Sequence, residues 1–244
     1  CMAAEQVAGV TVPERAWYLR TILLEMERIT SHLGDQGGML VDVGFPLGAN
    51  QFFVLREEMM RMNERITGSR FLRGMIRPGG VARDVPEAVI SDLAVFLARL
   101  KKRYQAGLKI VLSTTSVIDR FATTGVVSRS LILPLALSGP VARASGGTED
   151  TRVQHPYGIY GQYIPAVRNL QDGDVLARFT VKAAEVMVSL DLIERMITGM
   201  PPGPVLADFS ARDGYSLALV ESARGRTSAG SGSKMERLND VSSG

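Results

Sequence analysis

The chain has 244 residues, 45% of them hydrophobic, and a formal net charge of +3. That length holds one large domain or two small ones around a sizeable core, and the charge is too mild to argue for a nucleic-acid partner. One cysteine, Cys1, and two histidines, His32 and His155, exclude an internal disulfide framework and any thiolate or histidine-rich metal cluster supplied by this chain alone. No metal ligand is therefore assigned, and a reducing compartment is the natural setting.

The chain opens at Cys1 without a helix cap, which reads as a fragment. Thr11-Val12-Pro13-Glu14 has the spacing of a capping box, with proline in the first turn. Ala16, Leu19, Leu23, Met26, Ile29 and Leu33 then recur at helical steps, predicting an amphipathic helix that Gly34, Gly37 and Gly38 interrupt. A second helix is predicted over Asn50 to Ile66, ended by Gly68. Its methionines Met59, Met60 and Met62 are read as core or interface filler. Pro78-Gly79-Gly80 predicts a turn between short extended pieces. A third helix starts at Pro86 and runs to about Lys109.

The segment from Ile110 to Leu137 is mixed, and Pro134 must end or kink any helix there. Its best uncharged run, Ser130 to Ala142, is 13 residues, against the roughly 20 a membrane span needs. Ser138 to Pro165 is loop-like. A last long helix is predicted from Asp174 to about Ile197, stopped by Met200-Pro201-Pro202-Gly203-Pro204. Tyr215 to Glu221 alternates weakly as a strand would. Ser228 to Gly244 has no periodicity and is read as a disordered or unrelated tail. The predicted fold class is mainly α: a long-helix bundle with a few short β strands.

No nucleophile elbow, phosphate loop or dinucleotide fingerprint is present. Asp42 lies between Met39-Leu40-Val41 and Val43, so it is expected to leave water. It then either bonds a neighbour or handles protons. His32 shares a helix face with Arg28 and Glu25, which predicts either a polar track or an exposed histidine near the helix end. Seven arginines from Arg56 to Arg83, interleaved with acids, read by default as a solvated, salt-bridged face. Arg143, Asp150 and Arg152 fall in the loop region beside Pro156, Tyr157 and Tyr160. Charges held there suit either function or a structural ion pair.

Taken in order, these segments resemble one family. Val12-Pro13-Glu14-Arg15-Ala16, Leu23-Leu24-Glu25-Met26-Glu27-Arg28-Ile29 and Ser31-His32-Leu33 are similar to the long helix of the respiratory complex I 49 kDa subunit. The large subunits of membrane-bound, energy-converting [NiFe]-hydrogenases share it. Asp42 with Gly44, Thr67-Gly68-Ser69-Arg70-Phe71, Ile76-Arg77-Pro78-Gly79-Gly80-Val81 and Ser138-Gly139-Pro140-Val141-Ala142-Arg143-Ala144-Ser145-Gly146 agree in the same order. So do Asp150-Thr151-Arg152, Pro156-Tyr157, Tyr160 and Glu221-Ser222-Ala223-Arg224-Gly225.

The resemblance covers residues 1–227 and implies a hydrogenase large-subunit-like fold, truncated at both ends, with a change of character after Thr227. It implies an electron-transfer subunit of a membrane-associated oxidoreductase complex, either NADH:quinone oxidoreductase or hydrogenase. The subunit would form part of a quinone or NiFe cavity beside an iron–sulfur subunit carrying a 4Fe-4S cluster. It would sit peripherally on the cytoplasmic side of the plasma membrane, with no span of its own. Asp42 and His32 are the candidate catalytic residues. Arg70, Arg77, Arg143, Asp150, Arg152, Tyr157 and Arg224 are the candidate cofactor-binding residues. The other reading is a redox-inactive structural or assembly homologue; the missing hydrogenase cysteine pairs fit either reading.

Overall fold

Regular apolar spacing makes one helix the spine of the molecule. The computed structural model describes residues 1–233. After a short helix α1 (Met2–Ala8), helix α2 runs unbroken over Glu14–Asp42. Its core face carries Leu19, Ile22, Met26, Ile29, Leu33 and Leu40, all buried. Burying each such side chain contributes about 1.5–3 kcal/mol before entropy is counted. Two expectations fail here. The N-cap is Pro13, and no side chain caps the helix, so Thr11 forms no capping box. The glycines do not interrupt the helix either. A methyl group on Gly37 would stand 2.6 Å from the Phe53 ring, and one on Gly34 2.9 Å from Arg56 Nε. Their bare backbones instead let the next helix lie close alongside.

That helix, α3 (Pro46–Thr67), turns back antiparallel and ends at Gly68 in the left-handed conformation, as the sequence predicts. Met59, Met60 and Met62 are buried within it. The two-residue strands β1 (Ile76–Arg77) and β2 (Gly80–Val81) flank the predicted turn. Helix α4 (Glu87–Leu112) follows, then α5 (Thr115–Phe121) and a single 3-10 turn at Arg129–Leu131. Two short helices lie inside the stretch read as loop: α6 (Gly139–Ala144) and α7 (Thr151–Gln154). Helix α8 (Val175–Gly199) is capped by the Asp174 carboxylate, which accepts from Ala177 N–H at 2.8 Å. It lies against α2 and α4. Edge-to-face contacts of Phe52 with Tyr104 and Phe179, at 5.7 and 6.1 Å, join α3, α4 and α8.

The chain closes with an antiparallel hairpin, β3 (Gly214–Ser222) and β4 (Gly225–Ser233), paired from Gly214↔Ser233 to Ser222↔Gly225. β3 packs on α1. Regular structure therefore continues past Thr227, where the sequence alone suggests a tail. β4 is nearly all Gly, Ser, Thr and Ala; it has no apolar alternation to advertise a strand, and its partner's backbone supplies the order. The remainder of that tail, residues 234–244, lies outside the described residues. No described helix is long and apolar enough to cross a membrane.

Candidate functional site

The middle of α2 carries charge where a core helix should carry none. Glu25, Arg28 and His32 are at most 1% exposed, at three- and four-residue steps that set them on one face. Facing them from α8 are Glu185 and Ser189, one turn apart. Ser189 Oγ donates to Glu25 Oε2 at 2.5 Å, and His32 Nε2 lies 2.7 Å from Glu185 Oε2. Arg28 reaches past both acids to donate to the backbone carbonyls of Glu221 and Ser222 on β3, at 2.5 and 3.0 Å.

The loop region between α5 and α8 completes the assembly. Asp150 caps α7 and grips Arg152 through two bonds, 2.9 Å from Nε and 2.7 Å from Nη2. Arg152 Nη1 then donates to Glu25 Oε1 at 3.1 Å, an oxygen that also accepts from the Tyr160 hydroxyl. Arg143, on α6, donates to Glu185 Oε1 at 3.0 Å and to Glu221 Oε1 at 2.9 Å. The second Glu221 oxygen accepts from Thr151 N–H and Oγ1. Four carboxylates, Glu25, Asp150, Glu185 and Glu221, thus meet three guanidiniums, Arg28, Arg143 and Arg152, and one histidine.

Burial alone would push the Glu25 and Glu185 carboxyls up; the paired charges reverse it. For Glu25, the desolvation is outweighed by Arg152, Arg28 and the Ser189 and Tyr160 bonds, which hold it at about 2. Glu185 is likewise held far below the usual carboxylate range, burial being overcome by His32, Arg143 and Arg28. Burial moves His32 the opposite way, below its ordinary value, although Glu185 opposes the shift. A neutral imidazole donating Nε2–H to a charged Glu185 satisfies both directions.

Tyr157 joins this network to the surface. Its hydroxyl accepts from Glu221 N–H at 2.9 Å, and its ring meets Tyr160 edge-on at 5.1 Å. Burial pushes its phenol up to about 12, so it keeps its proton at neutral pH. Tyr157 and Trp17 line two adjoining clefts of about 540 and 280 Å³ between α1, α2 and β3. The smaller is walled by Leu24, Ile76 and Val220, with Arg20 and Thr21 as polar groups.

Of the residues singled out in the sequence, His32, Arg143, Asp150 and Arg152 come together in the network, and Tyr157 adjoins it. The exposed alternative for His32 is overturned, since it is fully buried. Asp42 is corrected in the opposite sense: it is exposed on the last turn of α2, because Leu40, Met39 and Val43 turn toward the core and leave Asp42, with Val41, on the outward side. Arg70 pairs with Glu57 at the surface, at 2.5 Å. The Arg77 side chain is exposed, and only its carbonyl is engaged, by Arg20. Arg224 is 76% exposed and bonds Asp35 at 2.8 Å. None of the four enters the network. The sequence does not single out Glu185 or Ser189, and Glu221 appears there only within a motif and not as a site residue. The available sign is a lone acid among Ala183, Ala184, Val186 and Met187 on a core helix. It also misses a second buried pair, Glu5 with Arg20, which holds the 77–80 turn through the Arg77 and Gly80 carbonyls and Gly79 N–H.

A nickel–iron centre held by two cysteine pairs does not fit these residues. The chain has one cysteine, and no group of three or more His, Cys, Asp or Glu among the described residues could hold a metal ion. The smaller cleft, by contrast, combines apolar walls with Tyr157, Arg20 and Thr21.

The sequence matches the family described as respiratory-chain NADH dehydrogenase, 49 Kd subunit, over residues 42–227. It is 32% identical to formate hydrogenlyase subunit 5 of Escherichia coli (strain K12), over 91% of this chain and 40% of that protein. It is 35% identical to an NADH-quinone oxidoreductase subunit of Erythrobacter litoralis (strain HTCC2594), over 84% of this chain and 51% of that protein. The chain thus spans about half the length of these curated relatives. Among solved structures, it is similar to a chain of the membrane-bound sulfane sulfur reductase, an archaeal respiratory membrane complex. The TM-score is 0.88 at 30% identity, over 94% of this chain and 64% of that one. With the family matched over residues 42–227 and the fold shared, the chain belongs to the family of the 49 kDa subunit of respiratory-chain NADH dehydrogenase.

Proposed function

We propose that this chain serves as a 49 kDa-type subunit of a membrane-bound oxidoreductase complex. In this reading it sits peripherally on the cytoplasmic side and forms part of a quinone cavity beside an iron–sulfur subunit. The observation that carries the reading is Tyr157. Its hydroxyl already accepts a backbone N–H, and its own hydrogen remains to be donated. A phenol pushed up to about 12 stays a donor throughout the physiological range. The charge network behind it fixes that orientation through Glu221, and a ring seated in the apolar cleft would displace water from it. A quinone bound there would supply a two-electron acceptor. Tyr157 would hold one carbonyl by a hydrogen bond, with Leu24, Ile76 and Val220 around the ring. Asp42, exposed at the end of α2, would serve as an acid presented to a partner or ligand.

The test is Tyr157→Phe in the intact parent complex, assayed with a short-chain quinone. We expect a clear rise in KM for quinone with assembly intact. An unchanged KM and kcat in a fully assembled complex would remove the cleft from the quinone path. One observation favours a second reading, in which the chain is a structural platform without redox chemistry. The charges of the network are spent on one another, which suits a frame more than a reaction centre. That reading predicts that Tyr157→Phe lowers assembly and leaves turnover per assembled complex unchanged.

A further inference from the structure

The His32 side chain uses only one of its two nitrogens. Nε2 engages Glu185, while Nδ1 is buried and meets no hydrogen-bond partner. One turn further along α2, Gln36 is also fully buried. Its Oε1 accepts from the Tyr104 hydroxyl at 2.8 Å, and its Nε2 meets no partner. Residues four apart on a helix have their Cβ atoms about 6 Å from each other, so an unused acceptor and an unused donor sit on neighbouring turns of one face. They complement each other: a neutral imidazole with its hydrogen on Nε2 offers a lone pair at Nδ1, and the Gln36 amide offers N–H. A rotation of the two side chains or a bridging water would join them.

The complement also reverses. If His32 takes up a proton, Nδ1 becomes a donor and needs an acceptor. Gln36 supplies one by turning its amide over, bringing Oε1 toward the imidazolium. Its NH2 then faces Tyr104, whose hydroxyl accepts as readily as it donates. We infer that Tyr104, Gln36 and His32 form a buried two-state proton switch, in which one proton taken from solvent onto His32 Nδ1 reverses the hydrogen-bond direction as far as α4. This goes beyond the quinone reading and does not depend on it.

The surroundings give the proton a reason to bind or leave. With His32 neutral, the four carboxylates and three guanidiniums of the network sum to one excess negative charge; with His32 protonated they balance. Glu185 and the network acids therefore favour the proton. Arg28 on the same helix and Lys182 on α8 oppose it, as does burial. Arg143 competes for Glu185 from α6, and Lys182 is itself tied to Asp35 at 2.5 Å. Tyr104, with its phenol driven far up by burial, stays protonated and acts only by turning its hydroxyl. A change of charge near the network, including one caused by electron transfer in a partner, would tip the pair. The response would reach α4 through two side chains.

The full chain labelled with 15N at histidine and glutamine reads the switch directly, with the exposed His155 as an internal reference. We expect His32 to be the Nε2–H tautomer when neutral, and the Gln36 amide resonances to titrate with the His32 midpoint. Tyr104→Phe keeps the ring on Phe52 and frees Gln36 to turn, so the proton affinity of His32 should rise about threefold or more, half a pH unit. Gln36→Glu puts a carboxylate opposite Nδ1 and should raise it further. An Nδ1–H tautomer in the native chain, or Gln36 resonances indifferent to the His32 titration, overturns the inference even if both variants fail to fold. Folded variants with an unmoved His32 midpoint overturn it as well.

Discussion

Two sets of arginines in this molecule bind carboxylates with similar bond lengths and opposite stakes. On the face of α3 and α4, Arg65 pairs with Asp92 and Arg103 with Glu58, with side chains 28–55% exposed. In the centre, Arg143 pairs with Glu185, Asp150 and Glu221 at 1–7% exposure. A surface pair exchanges one set of water contacts for another and stabilises little. A buried pair exists only because every member is satisfied, so removing one leaves charges stranded in low dielectric. The run of arginines that dominates the sequence by number is therefore the less consequential set. The three of the central network are scattered at positions 28, 143 and 152.

The sharpest way to test the contrast is Arg143→Met, which keeps length and apolar bulk but strands Glu185 and Glu221 together. We expect a loss of about 3–5 kcal/mol in urea unfolding. A loss under 1 kcal/mol would mean that water or protons already neutralise the centre, erasing the difference between the two sets.

Acid should act on the centre before the surface. Glu25 titrates at about 2 when folded, against 4.5 ordinarily. The folded state thus binds fewer protons than the unfolded one in this window. Its stabilising share is complete above about 4.5 and is lost as pH falls toward 2, on the order of 3 kcal/mol. The depressed His32 adds the same sign at higher pH: its share is intact above 6.5 and shrinks on acidification. Urea midpoints measured from pH 7 down to 3 should therefore fall progressively. A flat profile would contradict both groups.

The reason the sequence shows one set and hides the other is physical. Helix onsets at Glu87 and Val175, the stop at Gly68 and the turn at Pro78-Gly79-Gly80 follow from local rules, and the structure agrees with each within a few residues. Glycines in α2 mislead because helix breaking is a local tendency, while close packing against Phe53 is a tertiary fact that overrides it. The network is only partly legible for the same reason. Glu25, Arg28 and His32 share a face that spacing reveals. Their partners, however, are 127 to 194 residues away in sequence. Glu185 shows locally only as a lone acid among apolar residues, and nothing in the sequence ties it or Glu221 to that face. Asp42 errs the other way: its apolar neighbours Met39, Leu40 and Val43 do pack on the core, but a helix turns successive side chains about its axis, and Asp42 falls on the outward side.

Smaller effects belong to the surface set. Arg65→Ala should cost below about 1 kcal/mol, and that loss should shrink in high salt, since both partners remain hydrated. The same salt should barely change the effect of Arg143→Met. Comparing the two substitutions at low and high ionic strength separates a screened pair from a buried one.

The smallest expected change is also the most useful for function. Asp42 is exposed, so Asp42→Asn in the isolated chain should shift unfolding by no more than about 0.5 kcal/mol. Asn keeps the shape and the hydrogen-bonding reach of the acid and removes its charge and its proton. If the isolated chain loses stability instead, Asp42 belongs with the structural carboxylates of the centre. If stability holds and turnover of the intact parent complex still falls at full assembly, the loss arises from the charge or proton at that position. An acid costing the fold nothing while costing the complex its rate would be surface chemistry, the counterpart of a centre whose charges hold the fold.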